Sequence, residues 1–168
     1  MLPHRRLCSL TVSTAASVKF YRGGMRLGDE SQALHAACVH YFDLERGDWR
    51  ACLERVRGMG FRIVDIPIPW RHHEGRPGEL GLSSERGKYD LVGFLKRVHE
   101  LGLLAVLRPG PTLNAELTNY GLPDRIVWDR ACQARTPRDN PVMVPGLVRM
   151  FPMPSYGSDA FRDEVRQY

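Results

Sequence analysis

Apolar positions along this chain fall into short continuous runs that alternate with stripes of helical spacing. The first run, Ala36 to Phe42, predicts a core strand. Asp48 then stands as a cap before a helix over Trp49 to Met59. Its apolar positions Trp49, Leu53, Val56 and Met59 recur at the helical period, and Gly58 and Gly60 close it. Phe61 to Ile66 predicts a second strand, ended by Pro67-Ile68-Pro69. The stretch 71–87 is polar and Gly-rich and reads as a loop. Tyr89 to Leu101 predicts a second helix on the stripe Leu91, Phe94, Leu95, Val98 and Leu101, with Gly102 at its end. Leu103 to Leu107 follows at once as a third strand, apolar enough to be covered on both faces.

The order is therefore strand, helix, strand, helix, strand. Connections from helix to strand are short and those from strand to helix are long. That asymmetry points to an α/β fold, a partial (β/α)8 TIM barrel of about three βα units. A doubly wound sheet is the alternative, but no strand is followed by a Gly-rich phosphate fingerprint. Upstream, two extended pieces flank Gly23-Gly24 and predict a short β-hairpin within 18–34. Residues 1–17 lack a clear period and read as a ragged N-terminus, leaving 18–168 as one domain portion. Downstream, Arg125 to Trp128 is a short amphipathic piece. A Pro-rich excursion follows, and Ser158-Asp159 caps a final helix.

Composition changes this picture little. The 168 residues are 43% hydrophobic and 26% charged, as in ordinary globular domains. The net charge is +5, and all the basic residues but Lys19, Lys88 and Lys96 are arginine. They are scattered, so the expectation is no nucleic-acid partner, with a basic nucleic-acid-binding α/β domain kept as an alternative. Cys8, Cys38, Cys52 and Cys132 form no CxxC pair and are expected as buried, reduced thiols. No run is long enough to span a membrane. Arg5-Arg6 before a diluted apolar stretch faintly suggests a leader. The expected compartment is the cytoplasm, with secretion as the alternative. Oligomeric state is not encoded in any motif.

The ends of the three strands carry the candidate chemistry. The first delivers His40 and Tyr41, the second Trp70, His73 and Glu74, the third Arg108, Asn114 and Glu116. Aromatic faces with amides and carboxylates suit a sugar, whose ring stacks and whose hydroxyls need donors and acceptors. Glu116 is the one carboxylate in an otherwise uncharged loop from Pro109 to Pro123. His72, His73 and Glu74 are adjacent and cannot share a helix face as zinc ligands do, so no metal and no cofactor is expected.

The succession His40-Tyr41-Phe42, Trp49, Pro69-Trp70 with His73-Glu74, Arg108-Pro109-Gly110-Pro111, Ala115-Glu116 and Gly121-Leu122-Pro123 resembles the N-terminal half of the family 35 glycoside hydrolases, β-galactosidases with a TIM-barrel catalytic domain. The resemblance covers about residues 18–128. It implies hydrolysis of terminal β-galactosyl or related bonds with retention, by two glutamates acting as acid/base and nucleophile. In that family both lie on later strands, so none of the catalytic residues is expected before Tyr168, and the isolated chain is expected to be inactive. Glu116 and Asn114, with Trp70 and Tyr41, would bind substrate; His73, Glu74 and Arg108 would order the loops. A non-catalytic carbohydrate-binding relative is the alternative. This sequence also departs from the family. Pro67 stands where a Tyr is usual, Arg71 for Asn, Asn114 for Cys, Leu117 for Trp and Tyr120 for Gly.

Overall fold

The computed structural model describes residues 17–113, 117–146 and 149–168. The possible leader, Cys8, Asn114 and Glu116 lie outside the described residues. The chain divides into two units, 1–35 and 36–168. In the first, strands β1 (Val18–Tyr21), β2 (Gly24–Leu27) and β3 (Glu30–Gln32) form an antiparallel meander. The expected hairpin is thus extended by a third strand.

The second unit is built on a parallel sheet. Its strands are β4 (Ala36–Cys38), β5 (Ile63–Pro69) and β8 (Leu104–Gly110), side by side in that order. Helices α1 (Trp49–Gly58) and α3 (Leu91–Glu100) connect them. Val64, Ile66 and Ile68 alternate onto the face that meets Leu53 and Val56 of α1 and Leu91, Phe94 and Val98 of α3. Between β5 and α3 lie a helical turn α2 (Trp70–His73), a small hairpin β6 (Glu74–Arg76) and β7 (Glu79–Leu80), and a 3-10 turn over Ser84–Tyr89. The stretch 71–87, expected as plain loop, is therefore structured. Past β8, α4 (Asp124–Val127), the hairpin β9 (Met143–Pro145) and β10 (Met150–Pro152), and α5 (Asp159–Gln167) enclose a second core of Trp70, Leu122, Ile126, Val127, Phe151 and Phe161. The Pro-rich excursion is thus ordered by a hairpin.

Several expectations need correction. The first strand stops at Cys38, and Tyr41–Asp43 is a 3-10 turn. Met59, placed on the helical stripe, is 68% exposed. Asp48 occupies the N-cap position of α1 without a side-chain capping bond. The prolines after Ile66 do not end β5; Pro67 and Pro69 stay in register with Arg108 and Gly110. The reason is which edge their missing donors face. The Val39 N–H donates to the Asp65 carbonyl (3.0 Å), so Asp65, and with it Pro67 and Pro69, turn their backbone toward β4, whose pairing ends at Cys38. Pro109 likewise faces the outer edge of β8, since the Leu104 N–H donates to Arg62 on the inner side (2.9 Å).

Strand β8 is also not covered on both faces. Val106 and Leu107 are 46% and 45% exposed. Among the described residues β5 is its one partner, so it forms the edge of the sheet. Cys38, expected as a buried thiol, is exposed beside Asp65 and Arg108, on the sheet face opposite the helices.

Helix α3 starts where one acid satisfies it. Asp90 is buried, accepts from the Gly93 N–H (2.9 Å) and pairs with Arg46 (3.1 Å). A side chain at Gly93 would meet the Asp90 carboxylate at 2.2 Å, which explains glycine inside a helix. Asp90→Ala should cost about 2 kcal/mol, more than Asp90→Asn, which keeps a capping oxygen. Urea midpoints of the two variants measure this; equal losses would remove the capping account.

Candidate active-site face

The loops leaving β4, β5 and β8 gather beyond the same end of the sheet and are bonded to one another. From the first, Tyr41 is fully buried, and its hydroxyl pairs with His73 Nε2. The Gly81 carbonyl accepts from His73 Nδ1 (3.1 Å). That bond places the ring proton on Nδ1, so Nε2 accepts from the Tyr41 hydroxyl. The Gly81 N–H returns a bond to the His73 carbonyl (2.8 Å). Burial holds the Tyr41 phenol well above the usual tyrosine range. His40 stacks on Phe42 (5.2 Å) and pairs with Asp43 (3.4 Å).

The second loop turns sharply at α2, which sends its side chains in different directions. His72 lies against Phe42 (5.1 Å) and Tyr89 (4.5 Å), and burial lowers its pKa to about 4. Trp70 is 1% exposed and stacks on Tyr168 (4.9 Å); its indole N–H donates to Glu74 Oε1 (3.3 Å). Glu74 is only 7% exposed and is held by Arg125, whose Nε donates to Oε2 (3.1 Å) and whose other arm reaches Glu164 of α5 (2.8 Å). Burial pushes the Glu74 carboxyl upward, but Arg125, the Gly78 N–H and the Trp70 indole together bring it below its ordinary value. His72, His73 and Glu74 thus part company, and among the described residues no group of three ligating side chains could hold a metal.

The third loop follows β8. The Leu113 N–H donates to the Tyr120 carbonyl (2.7 Å), joining the residues on either side of the stretch with Asn114 and Glu116. Asn119 and Tyr120 both have φ of 53° and Gly121 has 80°, three successive left-handed residues. Glycine at 121 suits the bend by its φ, while a Cβ there would make only ordinary contact with Pro69 of β5 (3.4 Å). Tyr120 sustains the same backbone with a tether: its hydroxyl donates to the Pro145 carbonyl (2.8 Å) and its ring meets Phe151 edge-on. Below, Arg108 Nε donates to Asp65 (2.7 Å) and its other nitrogen approaches Cys38 Sγ (3.4 Å); the Asp65 bond raises the guanidinium above its usual value.

Among the expected site residues, Trp70 and Glu74 come together around Arg125, and Tyr41 pairs separately with His73. Arg108 sits apart, in the sheet. Tyr41 and Trp70 present no open ring face; both are core residues here, packed by Phe94 and Tyr168. Arg125, Asp124 and Tyr168 were not singled out from the sequence. Arg125 carried a signal: one cation immediately before the apolar pair Ile126-Val127.

Parallel strands that send long, mutually bonded loops off one end define an α/β protein whose loops gather at the C-terminal edge of the sheet. Residues 25–142 match the family model of glycosyl hydrolases family 35, and the chain belongs to that family. It is 41% identical over 85 residues to a beta-galactosidase of Felis catus, a match covering 51% of this chain and 12% of that protein. Against the beta-galactosidase of Mus musculus it is 39% identical over 85 residues, covering 51% and 13%. Against an exo-beta-D-glucosaminidase of Pyrococcus horikoshii it is 32% identical over 102 residues, covering 60% and 13%. The matched part is thus a small fraction of each relative's length.

Proposed function

We propose that this chain supplies the sugar-recognition part of a β-galactosidase-like glycoside hydrolase, as the first three βα units of a (β/α)8 barrel. The observation that carries the reading is the family match over 25–142, which spans the parallel sheet and the three bonded loops. Hydrolysis would proceed with retention through two carboxylates, and no residue of this chain is assigned to that pair. Glu116 is assigned to recognition: ionised, it accepts hydrogen bonds from two sugar hydroxyls and fixes the ring, with Asn114 beside it. His73 and Glu74 act through the loops they order. Localisation in the cytoplasm is part of the same proposal, and fractionation of the host cell tests it.

Hydrolysis of aryl β-galactosides by the product of the whole reading frame tests the activity. Glu116→Gln should lower kcat/KM by about 10- to 100-fold, the equivalent of about 1.5–3 kcal/mol for charge-assisted hydrogen bonds. Unchanged kinetics in that variant would remove the recognition role; a wild-type product inert on all β-glycosides would favour a carbohydrate-binding relative.

A further inference from the structure

We propose that Trp128, Arg149, Asp124 and Arg71 form a subsite for a saccharide unit bearing an anionic group, a carboxylate or a sulfate. The inference rests on the carbohydrate reading above and specifies the substrate class. Three of the four residues lie in the connection that follows β8, and Arg71 follows β5, so all stand at the C-terminal edge of the sheet.

Trp49 and Trp70 are each 1% exposed, whereas Trp128 is 50% exposed. An indole left half in water offers a flat apolar surface with a polar edge, the shape that stacks on the C–H face of a sugar. The Arg149 guanidinium lies over one face of that ring, 5.6 Å from its centre, so a sugar stacks on the opposite face. From there a row of contacts runs on: Arg149 to Asp124 at 3.9 Å, and Asp124 to Arg71 at 3.2 Å.

The row has a surplus of donors. Arg71 and the Asn119 amide both donate to one oxygen of Asp124, Oδ1, and Arg149 approaches that same atom. A carboxylate oxygen has two lone pairs. Asn119 and Arg71 fill them at hydrogen-bond distance, which leaves Arg149 beyond reach. Its planar fork keeps donors for another acceptor. The charge count agrees, with two guanidinium groups around a single carboxylate. A carboxylate or sulfate that projects from the stacked sugar past the edge of Trp128 meets that fork bidentately. The nearby Glu74 does not cancel the surplus, because it is buried under its own partner Arg125.

Trp128 is itself the probe. With the other two tryptophans buried, acrylamide quenching of the 168-residue chain reports mainly on Trp128. Titration with oligogalacturonate, with a sulfated galacto-oligosaccharide, with the neutral galacto-oligosaccharide and with inorganic sulfate separates the possibilities. The acidic saccharides should protect Trp128 at least about tenfold more tightly than the neutral one. That preference should shrink with added salt and disappear in Arg149→Gln, whose circular dichroism should match the parent. Which acidic sugar protects better distinguishes carboxylate from sulfate. Equal protection by the neutral sugar, unaffected by Arg149→Gln, would overturn the anionic specificity while leaving the carbohydrate reading intact. Protection by inorganic sulfate as strong as by any saccharide would reduce the site to an adventitious ion only. No protection by any sugar would overturn the subsite, and the β-galactoside assay of the whole product would show separately whether the hydrolase reading also fails.

Discussion

Phe94→Ala should destabilise the α/β unit by about 3–5 kcal/mol, the usual cost of truncating a fully buried aromatic ring. Phe94 is not exposed at all. It stacks on Tyr41 (5.3 Å) and meets Trp49 edge-on (5.4 Å), while the Trp49 indole donates to the Tyr41 carbonyl (3.1 Å). One ring therefore joins α3, the start of α1 and the loop after β4. Lost contacts would be compounded by a cavity that the two rigid rings of Tyr41 and Trp49 cannot collapse into. Phe94→Leu should cost far less, since volume is largely kept. Urea denaturation of both variants provides the measurement, and a loss below about 1 kcal/mol for the alanine variant would contradict this packing. Because Tyr41 holds His73, the same truncation should loosen the second loop and expose Tyr41 to faster hydrogen exchange of its neighbours.

Arg125→Met should be the most damaging change among the charged residues, at about 2–3 kcal/mol near neutral pH. It leaves Glu74 ionised and almost wholly buried, with the Trp70 indole and the Gly78 N–H as its remaining donors. The pH dependence has a definite sign. In the parent, the Glu74 carboxyl lies below its ordinary value of 4.5, so its contribution is present above that pH and lost as pH falls through the lower, folded value. In the variant, burial acts without the guanidinium, and the folded value moves up from the parent's. The deficit relative to the parent should therefore be largest near neutrality and narrow on acidification through the carboxylate range. Adding Glu74→Gln to Arg125→Met should recover part of the loss, because it removes the stranded charge. Stability curves across pH for the three proteins decide the matter; a deficit that stays flat with pH would exclude an electrostatic origin.

The helices were legible because their signals are local. The α3 stripe is in the core as its period requires, and Ser158 caps α5 by accepting from the Phe161 N–H. The strands were legible in position but not in environment. Leu103 to Leu107 is apolar enough for a strand covered on both faces, but coverage depends on neighbours, and among the described residues β8 has one. The prolines misled for a related reason: a missing N–H matters only on a paired edge, and the paired edge is a tertiary fact. At the candidate site, residue types were legible and partners were not. The Tyr41–His73 and Glu74–Arg125 contacts span 32 and 51 residues. No local period encodes such separations. Trp70 shows the same limit, since nothing near it in sequence announces that Tyr168 will cover its ring.

The connection between β8 and α5 illustrates how a long loop can be made inexpensive in chain entropy. Thr112 and Tyr156 join their hydroxyls across 44 residues at its base (2.8 Å). Within that clasp, Tyr120 reaches Pro145 across 25 residues, and an overlapping tie runs from the Ser158 hydroxyl to the Ala131 carbonyl (2.7 Å). Closure cost grows only with the logarithm of loop length, by about 0.6 kcal/mol per doubling. Once the outer clasp is set, each further tie closes a loop whose ends are already confined. The segment bearing Asp124, Trp128 and Arg149 thus behaves as overlapping short loops, and its side chains can hold a fixed geometry without belonging to any long helix or strand.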